Sequence, residues 1–412
     1  MKRRLYFFTA EYPYGNVSET FIENEIKYLS DAFDEVVIIP STKENNIVRN
    51  IPNNVRVEKF LINTDFNNLK KYFFRNFNKI FYVYMKEALI KGNFIFYIKN
   101  IKFYLDFITR QFKKKDLLAE YFNLSRINKD DVLYDFWYIN SAPALSLLKQ
   151  NGLKNRLIVR AHRYDLYDSE WRTGKVPFVN LVYKLSDVSV FSNKHGANYF
   201  VEKLNIRNNN KISINYLGVE DYYQDMQENN DENDDFFTIV SCSGMSKRKR
   251  VDLIPKLLYG ISEKVKWVHF GDGPERNKVE KLCERLPDNI EWQLKGHVDN
   301  NEVLEFYKKN KIDLFVSFTT SEGLPVSFKE VQSFGIPILS TNVCGIPDIV
   351  NEKTGVLIQV NEDIKDVREK LRGIIKNYPF DKDYIHNYFL NNFYARKVYP
   401  NFIKNILLNE KN

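Results

Sequence analysis

The sequence predicts an α/β protein built from two Rossmann-like, doubly wound domains that face each other across a cleft. Three observations lead there. Short apolar runs recur along the chain with amphipathic stretches between them, the pattern of parallel strands buried on both faces and joined by helices. An acidic stretch from Glu220 to Asp235, with eight carboxylates and no base, splits those runs into two series. A chain of 412 residues has room for two such domains. The expected division is 1–217, 218–385, and a C-terminal helix over 386–412 that packs back toward the first domain.

Leu5 to Thr9 reads as the first strand. Met1-Lys2-Arg3-Arg4 resembles the head of an export signal, but the apolar run to Ala10 is too short and Glu11 stops it. The loop Glu11 to Thr20 follows. Gly15 permits a tight backbone there, and Ser18 or Thr20 can cap a helix beginning near Phe21. Val36 to Pro40 is the second strand. A basic aromatic insert, 66–124, then interrupts the alternation. Between Phe66 and Lys115 stand 12 Lys/Arg, 2 acids and 15 Phe/Tyr, whereas the whole chain carries only +8. Basic helices rich in aromatics suit an anionic membrane surface, with Lys113, Lys114 and Lys115 expected to face it. The alternative is that the aromatics are core and the lysines a solvated face. No nucleic-acid motif accompanies the charge.

Strands resume at Val132–Asp135, Arg156–Arg160 and Val188–Phe191. The second series runs Thr238–Ser241, Lys266–Phe270, Ile312–Val316 and Pro337–Ser340. From Tyr384 the tail reads as one or two helices with a stripe ending in Ile403, Ile406 and Leu407. A mean hydropathy of −0.43, and no run near the ~18 apolar residues of a membrane span, describe a soluble protein. Cys242, Cys283 and Cys344 lack the spacing of a metal or redox pair and fit a reducing compartment. The expected location is the cytoplasm, on the inner face of the cell membrane.

The most informative stretch is Ser321-Glu322-Gly323-Leu324-Pro325-Val326-Ser327-Phe328-Lys329-Glu330. It reads as strand, acidic loop and helix start, with Pro325 at the first helical position and Gly335 with Pro337 ending the segment. Free amides at such a terminus attract phosphate. A helix from Glu322 to Glu330 would rise on the order of 10 Å, enough to hold a nucleotide sugar at both ends. The run Ser243 to Arg250, after a strand, places four cations where a diphosphate needs them. Phe270-Gly271-Asp272-Gly273-Pro274 is a turn or a ligand loop, and backbone near Val298 could face a base. The five histidines lack metal-ligand spacing. His162, just after a strand, reads equally as structural or functional. Asp381-Lys382-Asp383 reads as turn and helix cap.

Together these residues resemble the retaining family 4 glycosyltransferases of the GT-B fold, as found in bacterial surface-polysaccharide assembly. Ser321 to Glu330 looks like that family's pair of glutamates eight positions apart. Ser333-Phe334-Gly335-Ile336-Pro337 and Cys344-Gly345-Ile346-Pro347-Asp348 continue the likeness. Arg160 to Asp165, Tyr216 to Glu220 and Phe270 to Pro274 add to it in the same order. The resemblance implies that Glu322 stabilises charge at the anomeric carbon and that His162 lies on the acceptor side. It implies that Gly323, Leu324 and Pro325 hold sugar or pyrophosphate, and that Glu330 binds the ribose. Lys249, with Arg248, would neutralise the diphosphate, Val298 would touch the base, and Gly15 would let its loop approach the donor.

One departure stands out: Gly244 occupies a position where the family usually has Arg. Cys344 also stands where many relatives have Gly. The implied reaction needs no metal and no cofactor beyond the nucleotide-sugar, a UDP-sugar in preference to a GDP-sugar. The acceptor is a glycan or a lipid-linked oligosaccharide. A sugar-nucleotide epimerase, a phosphorylase and a non-catalytic membrane-associated assembly subunit remain as alternatives.

Overall fold

The computed structural model describes residues 3–15, 19–42, 49–62, 68–90, 94–171, 173–223 and 235–410. They form two units, each with its own parallel sheet flanked by helices, the α/β class that the sequence predicts. The first unit comprises Met1–Ser192, Gly196–Asn215 and Tyr399–Asn412, and the second Asn193–His195 and Tyr216–Val398. Much of the acidic stretch, 224–234, lies outside the described residues, as do Ser18 and Met1-Lys2.

In the first unit β1 (Arg4–Thr9), β2 (Glu35–Pro40), β3 (Val55–Val57), β4 (Val132–Asp135), β5 (Arg156–Ala161), β6 (Val188–Phe191) and β7 (Ile212–Ile214) pair in the order β3-β2-β1-β4-β5-β6-β7. Phe7 sits opposite Ile38 and Tyr134. Because side chains alternate along a strand, Tyr6, Phe8, Val37, Ile39 and Leu133 point to one core. Phe7 stacks on Tyr134 toward the other face. Strand order reverses between β1 and β4. The loops after those two strands therefore open at the crevice where such sheets take ligands.

The insert forms four helices, Leu69–Arg75, Phe77–Ile90, Phe94–Lys99 and Ile101–Ser125. Its aromatic and aliphatic side chains divide between the two readings. Ile80, Tyr84, Tyr97, Tyr104, Ile108 and Phe112 join the first core, whereas Phe74, Tyr82, Leu89 and Ile98 are more than half exposed. One expectation is overturned. Lys114 is buried, and its ammonium donates to Ser41 Oγ at 3.0 Å and to the Asn140 carbonyl at 2.9 Å. Burial holds its pKa down at about 8, so the 113–115 triplet does not form a solvated basic face.

The tail segment of this unit packs on the same sheet. The Arg160 guanidinium lies 4.8 Å from the Phe402 ring centre, and Arg156 donates to the Ile406 carbonyl at 2.9 Å. Asp381 caps the helix Lys382–Asn392 by accepting the Asp383 and Tyr384 amides.

The second unit carries β8 (Phe237–Cys242), β9 (Val265–Phe270), β10 (Ile290–Leu294), β11 (Leu314–Ser317), β12 (Ile338–Thr341) and β13 (Gly355–Ile358), in the order β10-β9-β8-β11-β12-β13. Ile239, Trp267, Leu314 and Leu339 fill one core and Val240, Val268, Phe315 and Ile338 the other. Here the order reverses between β8 and β11.

Candidate functional site

The loops that follow β8 and β11, 243–252 and 318–325, meet at this second reversal. Arg250 fastens one to the other, donating from Nε to the Phe318 carbonyl at 2.7 Å. The Thr320 amide returns a hydrogen bond to the Arg248 carbonyl at 2.9 Å. With the backbones so joined, three charged side chains converge. The Glu322 carboxylate accepts from Lys249 Nζ at 2.6 Å and from Arg248 Nη1 at 2.7 Å. Burial alone would raise the Glu322 pKa, but the attraction of Lys249 and then of Arg248 outweighs it, so the carboxyl stays below the usual range. The sequence predicts the partners of this cluster but not that they pair with one another.

Glu322 does not belong to a helix. The helix runs Val326–Ser333, and Pro325 is its N-cap with ψ at 136°, not its first residue. Gly323 and Leu324 thus lie in the loop, and the continuous helical rise expected from Glu322 to Glu330 is replaced by a loop followed by one turn. Gly345 closes the other side. A Cβ there would stand 1.9 Å from the Gly323 carbonyl oxygen, so only glycine lets the 342–345 loop approach.

Glu330 lies in the helix, 7% exposed, with one oxygen taking Asn300 Nδ2 at 3.0 Å. Burial raises its pKa, against the opposing pull of Asn300 and Lys329. The Cys242 thiol at the end of β8 is pushed up to about 12, first by burial and then by Glu330, with Lys249 opposing. That thiol feels both the Glu330 carboxylate and the cationic loop. Asn300 is a residue that sequence reasoning misses, because its partner Glu330 is 30 positions away and Asn300 itself belongs to no recurrent pattern.

The 270–274 turn packs under the cationic loop. The Met245 amide donates to the Asp272 carbonyl at 2.8 Å, and the Gly271 amide to the Gly296 carbonyl at 2.8 Å. Val298, just beyond, is half-buried against the second unit's core. Gly244 is exposed, and a Cβ there would meet only the Asp272 carbonyl at an ordinary 3.5 Å.

In the first unit Gly15 has φ +81°, and its carbonyl accepts Arg49 Nε at 2.8 Å. The loop before it is tied by Glu19, which accepts the amides of Ala10, Glu11 and Tyr12 at 2.6–3.0 Å and the Trp137 indole. Glu19 carries no signal in the sequence, since its partners are backbone amides that only the folded loop presents. The His162 ring rests among aromatic rings, 4.7 Å from Phe136 and 4.8 Å from Trp137 between centroids. Its amide donates to Asp165 at 2.6 Å, and burial pushes the Asp165 carboxyl up to about 8. The structure joins Glu322, Lys249 and Arg248 directly. Gly15 and His162 belong to the other unit. Among the described residues no three His, Cys, Asp or Glu side chains gather as a metal site would require.

Residues 223–389 match the family model for glycosyl transferases group 1. Over 180 residues, 42% of this chain, the sequence is 28% identical to the phosphatidylinositol N-acetylglucosaminyltransferase gpi3 subunit of Schizosaccharomyces pombe. Over 143 residues, 34% of the chain, it is 29% identical to the O-antigen biosynthesis glycosyltransferase WbnH of Escherichia coli. Each match spans 38% of the relative's own length. The fold is similar to that of Anabaena Alr3699/HepE in complex with UDP and glucose, with a TM-score of 0.65, 12% identity, and 98% of this chain and 99% of that one covered. The two-sheet architecture is thus the GT-B fold, and the match to the glycosyl transferases group 1 model covers the residues that carry the Glu322–Lys249–Arg248 cluster.

Proposed function

We propose that the protein is a retaining glycosyltransferase that moves a sugar from a nucleotide-sugar to a glycan or lipid-linked acceptor in cell-surface polysaccharide assembly. The observation that carries this reading is the carboxylate of Glu322 held between Lys249 and Arg248 beside the strand-order reversal. Diphosphate is the leaving group of such a transfer, and two cations at one point supply its counter-charge without a metal. Arrival of the diphosphate draws Lys249 and Arg248 to itself and frees Glu322 for the sugar, where positive charge develops at the anomeric carbon. The bond from that carbon to the diphosphate oxygen breaks as the bond to the acceptor oxygen forms on the same face. The acceptor's proton passes to the departing diphosphate.

Glu330 is assigned to the ribose, backbone at Gly323 and Leu324, next to Pro325, to the sugar or pyrophosphate, and Val298 to the base. Gly15 and His162 are assigned to the donor approach and the acceptor side. The UDP and glucose bound by the Anabaena protein support a UDP-sugar donor, and the O-antigen role in the name of the Escherichia coli relative supports a surface polymer. Among the described residues no helix is long and apolar enough to cross a membrane. The exposed aromatics and lysines of the insert support peripheral contact with an anionic membrane from the cytoplasmic side.

A panel of UDP- and GDP-sugars read by mass spectrometry tests the assignment. Release of UDP from one donor is expected, together with a thermal shift on adding UDP. No release from any donor, with no shift from either nucleotide, would exclude the enzyme.

A further inference from the structure

The first unit contains a cavity of about 670 Å³ walled by the helices Phe77–Ile90, Ile101–Ser125, Ala142–Gln150 and Val179–Leu185. It lies away from the loops that carry Gly15 and His162. Gln150 ends a helix that begins after β4, and Lys184 sits in the last turn before β6. Those positions mark the edge of the sheet where strands begin, whereas Gly15 and His162 follow strand ends.

The lining has an unusual balance. Four lysines, Lys79, Lys86, Lys115 and Lys184, line the cavity with a single carboxylate, Glu87. Lys115 pairs with Asp116 at 2.8 Å. Lys79, Lys86 and Lys184 are exposed and make no ion pair among the described residues. Between the lysines the wall combines apolar Val83, Phe112, Leu147 and Leu181 with the amides of Asn78, Gln150, Asn151 and Asn180. Cations and amides beside apolar side chains suit a ligand with an anionic, hydrogen-bonding head and a hydrocarbon body. The same helix that supplies Lys79 and Lys86 also exposes Phe81, Tyr82 and Leu89, an apolar path from the cavity toward a bilayer.

We propose that this cavity binds the headgroup of an anionic phospholipid and thereby seats the insert on the membrane surface. The inference rests on the membrane contact proposed above and adds to it a defined site and ligand class. It is independent of donor chemistry.

The test uses the full chain, with Lys86→Glu and Lys184→Glu combined, and a charge-matched control combining Lys365→Glu and Lys376→Glu, exposed positions in the second unit. Calorimetric titration with soluble dihexanoylphosphatidylglycerol should show saturable binding to the wild type. The cavity variant should bind about tenfold more weakly or worse, and the control variant as the wild type does. Flotation with vesicles of phosphatidylcholine plus phosphatidylglycerol should follow the same order. Equal binding of dihexanoylphosphatidylcholine or of inorganic phosphate would overturn the assignment, as would wild-type affinity in the cavity variant. The thermal response to UDP, read on the same samples, should be equal in all three proteins. Its absence from the wild type would contradict the transfer function while leaving the lipid result standing.

Discussion

At the scale of single residues, the account turns on how Lys249 and Arg248 share one carboxylate. A charge-assisted hydrogen bond contributes about 1.5–3 kcal/mol, so Lys249→Ala should weaken UDP binding roughly tenfold to a hundredfold, measured by isothermal titration. Wild-type affinity in that variant would place the diphosphate elsewhere. These residues were legible because charge next to a strand end in a βα unit has few structural uses. Glu19 and Asn300 were not. Each works by satisfying a group that becomes its neighbour only after folding, three loop amides in one case and the Glu330 carboxylate in the other. Lys114 shows the opposite error. In the run Lys113-Lys114-Lys115 it reads as surface, yet it is the one whose ammonium is enclosed by Ser41, Asn140 and Ser141.

At the scale of elements, central strands were readable to within a residue or two, because both faces are buried and their sequence is continuously apolar. The strands that escaped lie toward the sheet margins. β10, Ile290–Leu294, exposes three consecutive residues, and β3 and β7 are three residues each, so these three offer no apolar run; the edge strand β13, Gly355–Ile358, also escaped although it is apolar. The helix after β11 was placed too early because Pro325 suits either the N-cap or the first turn, and the extended ψ that decides between them is invisible in sequence. That shift leaves Glu322 on a loop shaped by close backbone contact. Gly345→Ala should therefore displace the 321–325 loop at a stability cost of about 1–3 kcal/mol. Turnover should fall further than the melting temperature alone explains, with both read on the same preparation by diphosphate release and circular dichroism. A variant with unchanged turnover would show that the loop's position is not what Glu322 requires.

At the scale of the whole molecule, the two sheets have separate cores, and the tail from Tyr399 contributes to the first unit. Phe402 is 2% exposed and covers Arg160, a fully buried cation paired with Glu25 at 3.5 Å. Phe402→Ala should cost about 3–5 kcal/mol, visible as a lower denaturation midpoint, since it removes packing and opens water to a buried charge pair. A change within about 0.5 kcal/mol, the range of surface substitutions, would mean that the tail is not part of that core. The proposed central act, transfer from a nucleotide-sugar, is tested most directly by one comparison. Kinetics and UDP affinity are measured for Glu322→Ala beside the wild type. The account predicts that kcat falls by roughly a hundredfold to a thousandfold, while UDP binds as well or more tightly because Lys249 and Arg248 lose their competing carboxylate. Wild-type turnover in Glu322→Ala would contradict it.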